Sequence, residues 1–137
     1  MRNRDTEELR IAECGMRNRD IEELKVRTKA YALRVIKLVE ALPRNRTAHV
    51  IGNQLLRAAT SVGANYRAAC RAKSSADFIA KMGIVEEEAD ECLYWLELLI
   101  ESGLISQERL VDLINEGNAL VAIAVASIRT ARLRKSH

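Results

Sequence analysis

Residues that break helices, and the aromatic residues that strands favour, are scarce in this chain. Its 137 residues include one proline, six glycines and only 4% aromatic residues. A β-rich protein needs more turn-forming glycine and proline, and more of the aromatic residues that strands favour. The composition therefore predicts an all-α protein, and the length is sufficient for one domain with a buried core.

Features that define several other classes of protein are also missing. The sequence has no run of about 18–20 uninterrupted apolar residues, and its first residues, MRNRDTEEL, do not resemble a signal peptide. The three cysteines lack CxxC spacing, and His49 and His137 fit no metal-binding motif. We therefore expect a cytoplasmic protein without membrane association, metal or cofactor.

Catalytic motifs are equally scarce. Carboxylates cluster over residues 86–91, but the sequence lacks the Glu-x-x-His pairs of a di-iron bundle. It also lacks a Gly-rich phosphate loop, a nucleophile elbow and a Cys–His pattern. We expect a non-enzymatic protein with no catalytic residue, in which the acidic run forms a solvated or intersubunit face.

Four segments carry apolar residues at alternating spacings of four and three. This spacing places the apolar residues on one face of a helix. The predicted helices cover about residues 20–42, 47–73, 75–102 and 107–133. Because the connections are short, the pattern predicts an antiparallel up-down four-helix bundle over residues 20–134.

Local signals mark the predicted helix ends. Pro43 and Gly103 are typical helix stops. The predicted N-terminal caps are Asp20 with Glu23, Asn45 or Thr47, Ser74 with Asp77, and Ser106. Residues 1–9 match residues 16–24 at eight of nine positions, so residues 1–19 are predicted to be a duplicated extension, poorly ordered or helical. Residues 135–137 form a basic tail end.

The second predicted helix has little bulk on any face. Its small residues surround Gly63, which costs about 1 kcal/mol relative to alanine inside a helix. Close approach of another backbone would compensate for this cost. A helix that is small on several faces can contact its own bundle and a second copy of the chain, so we expect an intersubunit contact; ordinary tight packing within one chain is the alternative.

Polar residues also occupy inward positions of this helix. A hairpin that turns near Ser74 would place Arg57 opposite Glu91 and Asn65 opposite Gly83. A partly buried Arg57–Glu91 pair would fix the alignment of the helices more than it would stabilise them; a surface pair of little consequence is the alternative. The predicted structural or interface residues are Arg57, Ser61, Asn65 and Glu91.

Charge is sorted along the chain although the net charge is only +3. Residues 24–73 carry a net charge of +10, and residues 77–116 carry −9. A basic surface of this kind can bind nucleic-acid phosphates, with affinity that arises from counterion release. It can also bind the acidic half of an identical chain, in a head-to-tail assembly that closes into a ring.

Nine basic residues are the candidate phosphate contacts, and solvated surface charge is the alternative. They are Arg44, Arg46, Arg67, Arg71, Lys73, Arg129, Arg132, Arg134 and Lys135. The aromatic residues fall mostly on or beside the apolar stripes, so stacking on bases is not predicted. No recognition motif predicts sequence-specific binding.

Several short motifs resemble a known family. They are ALP (Ala41–Pro43), QLLRAATSVGAN (Gln54–Asn65), SADF (Ser75–Phe78) and the pattern from Glu91 to Leu96. Over about residues 24–133 the chain resembles the four-helix bundle family of proteins encoded in intervening sequences of bacterial large-subunit rRNA genes. The resemblance implies a small non-enzymatic protein that assembles as a homopentameric ring.

The same resemblance extends to the accessory variability determinant of diversity-generating retroelements. That protein is a basic pentamer that binds nucleic acid and a reverse transcriptase. The leading hypothesis is therefore a homo-oligomeric accessory protein that binds RNA or DNA phosphates through the candidate residues. The alternative is an assembly scaffold or adaptor, for a reverse transcriptase or another protein, without direct nucleic-acid binding.

Overall fold

The structure, a computed structural model, describes residues 17–135. This part of the chain contains four helices. They are α1 (Asn18–Glu40), α2 (Arg46–Cys70), α3 (Ser75–Glu101) and α4 (Gln107–Lys135). No strand occurs within residues 17–135, which confirms the all-α prediction. The predicted extension over residues 1–19 and the basic tail end lie mostly outside the described residues.

Side chains and one glycine define the ends of α2 and α3. The Asn45 side chain accepts a hydrogen bond from the Ala48 N–H at 2.8 Å, and the Ser74 hydroxyl accepts one from the Asp77 N–H at 3.1 Å. Both bonds satisfy amide groups that have no partner within a helix. Gly103, with φ of 78°, follows α3 and ends it, since left-handed backbone favours glycine.

The start of α1 differs from the prediction. The helix begins at Asn18, and the preceding residue, Arg17, makes no capping bond through its side chain. The predicted capping box at Asp20 is therefore wrong, because Asp20 lies within the first turn. In that position its carboxylate stabilises the helix through the positive end of the helix dipole.

Contacts between successive helices show that they run antiparallel. The contacts are Thr28–Gly63 and Val39–Gly52 between α1 and α2, Arg57–Glu91 between α2 and α3, and Leu93–Gly117 between α3 and α4. The α1–α2 and α3–α4 loops therefore lie at one end of the bundle, here called the Pro43 end. The α2–α3 loop, the start of α1 and the end of α4 lie at the opposite end, here called the Ser74 end. The 25 residues of α2 separate these ends by roughly 37 Å.

The predicted apolar stripes form the core. Every predicted stripe position of α2 and α3 is buried: Ile51, Leu55, Ala58, Val62, Tyr66 and Ala69 in α2, and Phe78, Met82, Val85, Ala89, Cys92, Leu96 and Leu99 in α3. Tyr31 and Tyr66 are the largest fully buried side chains of the described residues. Ile21 is buried as well and extends the stripe of α1 towards its start, a position that the stripe prediction missed. Burial raises the pKa of both tyrosine hydroxyls far above the usual value of 10.

Gly63 allows α1 and α2 to approach each other closely. A Cβ atom at Gly63 would lie 3.3 Å from the Thr28 Oγ1 and 3.6 Å from the Thr28 backbone carbonyl carbon. Thr28 itself is buried, and its hydroxyl donates a hydrogen bond to the Lys25 carbonyl oxygen at 3.2 Å. Close approach within the bundle, one of the two alternatives for Gly63, is thus confirmed. Contact of α2 with a second copy remains a prediction.

The last helix is unusually apolar. By length and composition, Gln107–Arg134 could cross a membrane. Charged residues interrupt this helix, so it is not an uninterrupted apolar run. A core helix of a soluble bundle passes the same test, and α4 places Leu110, Leu120 and Ala124 in the core. The composition of α4 is therefore weak evidence for a membrane span.

Candidate nucleic-acid interface

The nine candidate phosphate contacts lie at two ends of the bundle. Arg44 and Arg46 are exposed at the Pro43 end. The other side chains that the structure describes are exposed at or near the Ser74 end, and they are Arg67, Arg71, Lys73, Arg129, Arg132 and Arg134. The backbone of Lys135 continues α4 at this same end. Antiparallel topology thus brings together bases that are more than 50 positions apart in the sequence, such as Arg71 and Arg129.

Several bases at the Ser74 end lie apart from the carboxylates that the structure describes. Within residues 17–134, no carboxylate lies at ion-pair distance from Arg67, Arg71, Lys73 or Arg129. The nearby carboxylate of Asp77 is already engaged: it accepts hydrogen bonds from the Lys73 backbone N–H and the Lys81 ammonium, each at 3.0 Å. These two bonds lower the pKa of Asp77, in that order of importance. Within residues 17–134 these four bases therefore carry charge that no ion pair neutralises, although Asp20, Glu22 and Glu23 of α1 are exposed at the same end.

Two grooves extend from the Ser74 end along different faces of the bundle. The groove between α1 and α2 has a volume of about 440 Å³, and Arg67 lies in it with Lys25, Lys29 and one carboxylate, Glu22. The groove between α3 and α4 has a volume of about 360 Å³, and Arg129 and Arg132 line it opposite Glu86. Both grooves combine aliphatic side chains with cationic groups, which suits a ligand with apolar and anionic parts.

The outward face of α3 carries the opposite charge. Over the second half of the helix its exposed residues are Glu87, Asp90, Tyr94, Glu97 and Glu101, whereas Ala76, Ala80 and Ile84 are exposed in the first half. We call the five residues of the second half the acidic stripe. Tyr94 is 53% exposed, so the expectation that the aromatic residues lie on or beside the core does not hold for this one. Charge separation along the chain therefore becomes charge separation in space, with an acidic α3 face and a basic Ser74 end.

Arg57 forms an ionic cluster with two carboxylates of α3. Its guanidinium pairs with Glu91, the partner that the antiparallel register predicts, and its Nη1 lies 3.6 Å from the Glu88 Oε2. The Arg57 side chain is 54% exposed, so the pair is closer to the surface than predicted. Glu88 is more buried, and this burial, followed by the charge of Glu91, raises its pKa although Arg57 opposes the shift.

Replacing Arg57 by alanine should destabilise the fold by about 1 kcal/mol at neutral pH, a value reduced by solvent screening of the exposed guanidinium. Without Arg57 the pKa of Glu88 rises further, so the folded state binds a proton more readily than the unfolded state. The loss of stability should therefore shrink as the pH falls through the folded pKa towards the ordinary value of 4.5. Urea denaturation at several pH values measures this change.

A second substitution separates this effect from simple loss of packing. Glu88→Gln in the Arg57→Ala background should restore most of the stability at neutral pH and remove the pH dependence. Glu87→Gln, at an exposed neighbouring position, is the matched control and should change neither. Equal rescue by both substitutions would contradict the role assigned to Glu88.

Asn65 and Ser61 interact within α2. The Asn65 amide donates hydrogen bonds to the Ser61 carbonyl oxygen and to the Ser61 hydroxyl, both at 2.8 Å. No hydrogen bond in the described chain joins Asn65 to Gly83, the residue predicted to face it. The role of Asn65 and Ser61 in contact with another subunit stays a prediction.

The sequence reasoning missed a second ion pair between helices. Arg27 of α1 forms a bidentate salt bridge with Glu116 of α4, with Nη2–Oε1 and Nε–Oε2 distances of 2.6 and 3.1 Å. This pair raises the pKa of Arg27. Both residues are adjacent to core positions, Thr28 and Gly117, and this adjacency is the signal that could have identified them. The salt bridge helps to hold α1 against α4, an interface that is much smaller than the one between α1 and α2.

Neither a cluster of metal ligands nor an exposed cysteine occurs among the described residues. Between Arg17 and Arg134, no three His, Cys, Asp or Glu side chains are arranged to hold a metal ion. Cys92 is fully buried, and burial raises its pKa to about 12, so its thiol stays protonated at neutral pH. The nearby hydroxyl of Tyr31 is also buried. Cys92 is therefore a core residue and a poor nucleophile.

Comparisons with known proteins agree with the fold. A family model described as 23S rRNA-intervening sequence protein matches residues 22–126. A search of curated proteins finds no match. Among solved structures, the chain is similar to a protein of unknown function from the S23 ribosomal protein family of Bacteroides thetaiotaomicron, with 36% identity and a TM-score of 0.72. The similarity covers 76% of this chain and 96% of that one. The chain therefore belongs to the 23S rRNA-intervening sequence protein family.

Proposed function

We propose that this chain is a non-enzymatic, cytoplasmic, homo-oligomeric accessory protein that binds RNA or DNA phosphates through its Ser74 end. The observation that carries the proposal is the group of exposed bases that lie at ion-pair distance from no carboxylate of residues 17–134, represented by Arg71, Lys73 and Arg129. Phosphates would replace the counterions that now surround these bases, and release of those ions would supply the affinity. Binding of this kind reads backbone charge and not sequence.

The bases at the Pro43 end would serve a different contact. Arg44 and Arg46 lie roughly 37 Å from the Ser74 end, about the length of one turn of duplex DNA. One ligand could contact both ends only if it followed the full length of the bundle. A shorter ligand would use one end, so the two groups of bases should contribute independently to binding.

The proposed oligomer is a homopentameric ring, the assembly that the family resemblance implies. Its supporting observation is the complementarity of two exposed faces. The acidic stripe combines carboxylates with Tyr94, and the α1–α2 face combines Lys29 and Arg67 with Val26 and Leu33, which are 68% and 54% exposed. Because these faces are different surfaces of one chain, their contact is head-to-tail and can close into a ring.

Analytical ultracentrifugation over a salt series tests both parts of the proposal. The protein alone should sediment at about five times the monomer mass of 15.4 kDa. With a labelled RNA hairpin, the logarithm of the binding constant should fall linearly with the logarithm of salt concentration. Sedimentation as a monomer would disprove the ring. Binding that is absent, or that does not change with salt, would disprove the nucleic-acid contact.

The second candidate function is an assembly scaffold or adaptor for a reverse transcriptase or another protein. The exposed apolar side chains Val26, Leu33 and Tyr94 favour it, because protein interfaces are rich in such groups. Arg67 lies in the α1–α2 groove beside Val26 and Leu33, so the ring contact would shield it under either function, and RNA binding is what distinguishes the two. An oligomer that shields Arg67 and does not bind RNA at low salt would support the scaffold.

A further inference from the structure

A further groove lies at the Pro43 end, at the opposite end of the bundle from the Ser74 end that is proposed to bind phosphates. It has a volume of about 780 Å³ and is formed by the end of α1, the α1–α2 loop and the first turns of α2. Its apolar floor consists of Val39, Leu42, Pro43, Ala48 and Leu56. Its polar rim consists of Glu40, Arg44, Asn45, Arg46, His49 and Asn53.

The packing of the bundle holds the floor of this groove in place. Leu42 and Val39 lie directly against Gly52, where a Cβ atom would be 3.0 Å from the Leu42 Cδ1 and 3.3 Å from the Val39 Cγ1. The loop is fixed by the hydrogen bond from the Ala48 N–H to the Asn45 side chain. The groove is therefore a preformed feature of the fold and does not need a ligand to create it.

The rim combines positive charge with hydrogen-bonding groups. Within the described chain, Arg44 and Arg46 have no carboxylate at ion-pair distance, although Glu40 lines the same groove. A ring nitrogen of His49 lies 3.3 Å from the side-chain nitrogen of Asn53. The rim therefore offers two guanidinium groups for an anion, and an imidazole and an amide for the edge of a polar ring.

These features together fit one chemical class of ligand. A nucleotide has a flat apolar base, polar groups at the edge of that base, and an anionic phosphate. The floor can cover the face of a base, His49 and Asn53 can bond to its edge, and Arg44 or Arg46 can bind the phosphate with two parallel bonds. In a duplex the faces of the bases are stacked and inaccessible, so the nucleotide must be unpaired.

We propose that this groove binds a single unpaired nucleotide of a nucleic-acid strand, with Arg44 and Arg46 on its phosphate. The inference rests on the proposed function, which brings the strand to the protein. It adds a preference for strands with an unpaired nucleotide, which contacts to backbone charge alone cannot provide. Binding to the Ser74 end alone would not distinguish a continuous duplex from one with an unpaired nucleotide. Binding in the groove would favour the duplex that has an unpaired nucleotide.

The test compares two RNA duplexes of equal charge, one fully paired and one with a single-nucleotide bulge that replaces a terminal nucleotide. Fluorescence anisotropy should show roughly tenfold tighter binding of the bulged RNA, because one base face is buried against aliphatic side chains and its edge gains hydrogen bonds. Arg46→Gln should remove most of this preference. Arg109→Gln, at another exposed arginine of the Pro43 end outside the groove, removes the same charge and should keep the preference.

A second measurement locates the contact. A 4-thiouridine at the bulge should cross-link to the segment from Leu42 to Leu56, as mapped by mass spectrometry. Equal binding of both RNAs, or cross-links only to α3 or α4, would overturn the groove assignment and leave the proposed function intact. The absence of binding by either RNA at any salt concentration would overturn both proposals. Displacement of the bulged RNA by AMP or UMP would support the proposal that the groove binds a nucleotide.

Discussion

Replacing Gly63 by leucine is expected to destabilise the protein by about 3 kcal/mol, the upper part of the usual range for an overpacked site. Gly63 faces Thr28, and even a Cβ atom would lie 3.3 Å from the Thr28 Oγ1 and 3.6 Å from its backbone carbonyl carbon. The backbone of α1 cannot move aside without separating the two helices. Urea denaturation at fixed protein concentration gives the free energy of unfolding.

Two further substitutions make this prediction specific to the contact between α1 and α2. Gly83→Leu places the same side chain on α3, where no described atom lies within 4 Å of the Cβ position. It should be neutral or stabilise the protein by up to about 1 kcal/mol, since leucine favours helix more than glycine does. Gly63→Ala should be nearly neutral, because this same helix preference offsets a tight contact. A Gly63→Leu protein as stable as wild type would show that α1 is not held closely against α2.

Periodicity is the part of the sequence that predicts structure best here. The stripes of α2 and α3 are buried at each predicted position because a bundle core requires apolar residues at that spacing. Asn45, Ser74 and Gly103 are local signals that act within a few residues, and each has the predicted role. The start of α1 was misjudged because Asp20 suits the first turn of a helix as well as its cap.

The arrangement of the charged residues was harder to predict. The charge of each half of the chain was evident, but the linear order does not show that the end of α4 lies beside the end of α2. Topology, not sequence distance, places Arg129 at the same end as Arg71 and places Arg46 at the opposite end. The Arg27–Glu116 pair and the groove at the Pro43 end depend on side chains from elements distant in sequence or separated by a turn. Spacing alone does not reveal such contacts.

Neutralising three bases of the Ser74 end should weaken binding of a duplex RNA roughly a hundredfold at about 0.15 M salt. The variant is Arg71→Gln, Lys73→Gln and Arg129→Gln, at exposed positions outside the core. Each phosphate contact contributes about fivefold at this salt concentration, and the losses multiply because the contacts are independent. The slope of log K against log salt should also fall by about three in magnitude. Fluorescence anisotropy over a salt series measures both quantities.

A second triple variant separates a local contact from the general attraction of a basic protein. Glutamine at Arg34, Lys37 and Arg109 removes the same charge from exposed positions away from the Ser74 end, so both variants lose three from the net charge of +3. The control should bind only a few-fold more weakly than wild type, since distant charges are screened beyond about 8 Å at physiological salt. Equal losses in the two variants would mean that net charge alone attracts the RNA. The Ser74 end would then have no special role, and the exposed apolar faces would become the stronger guide to function.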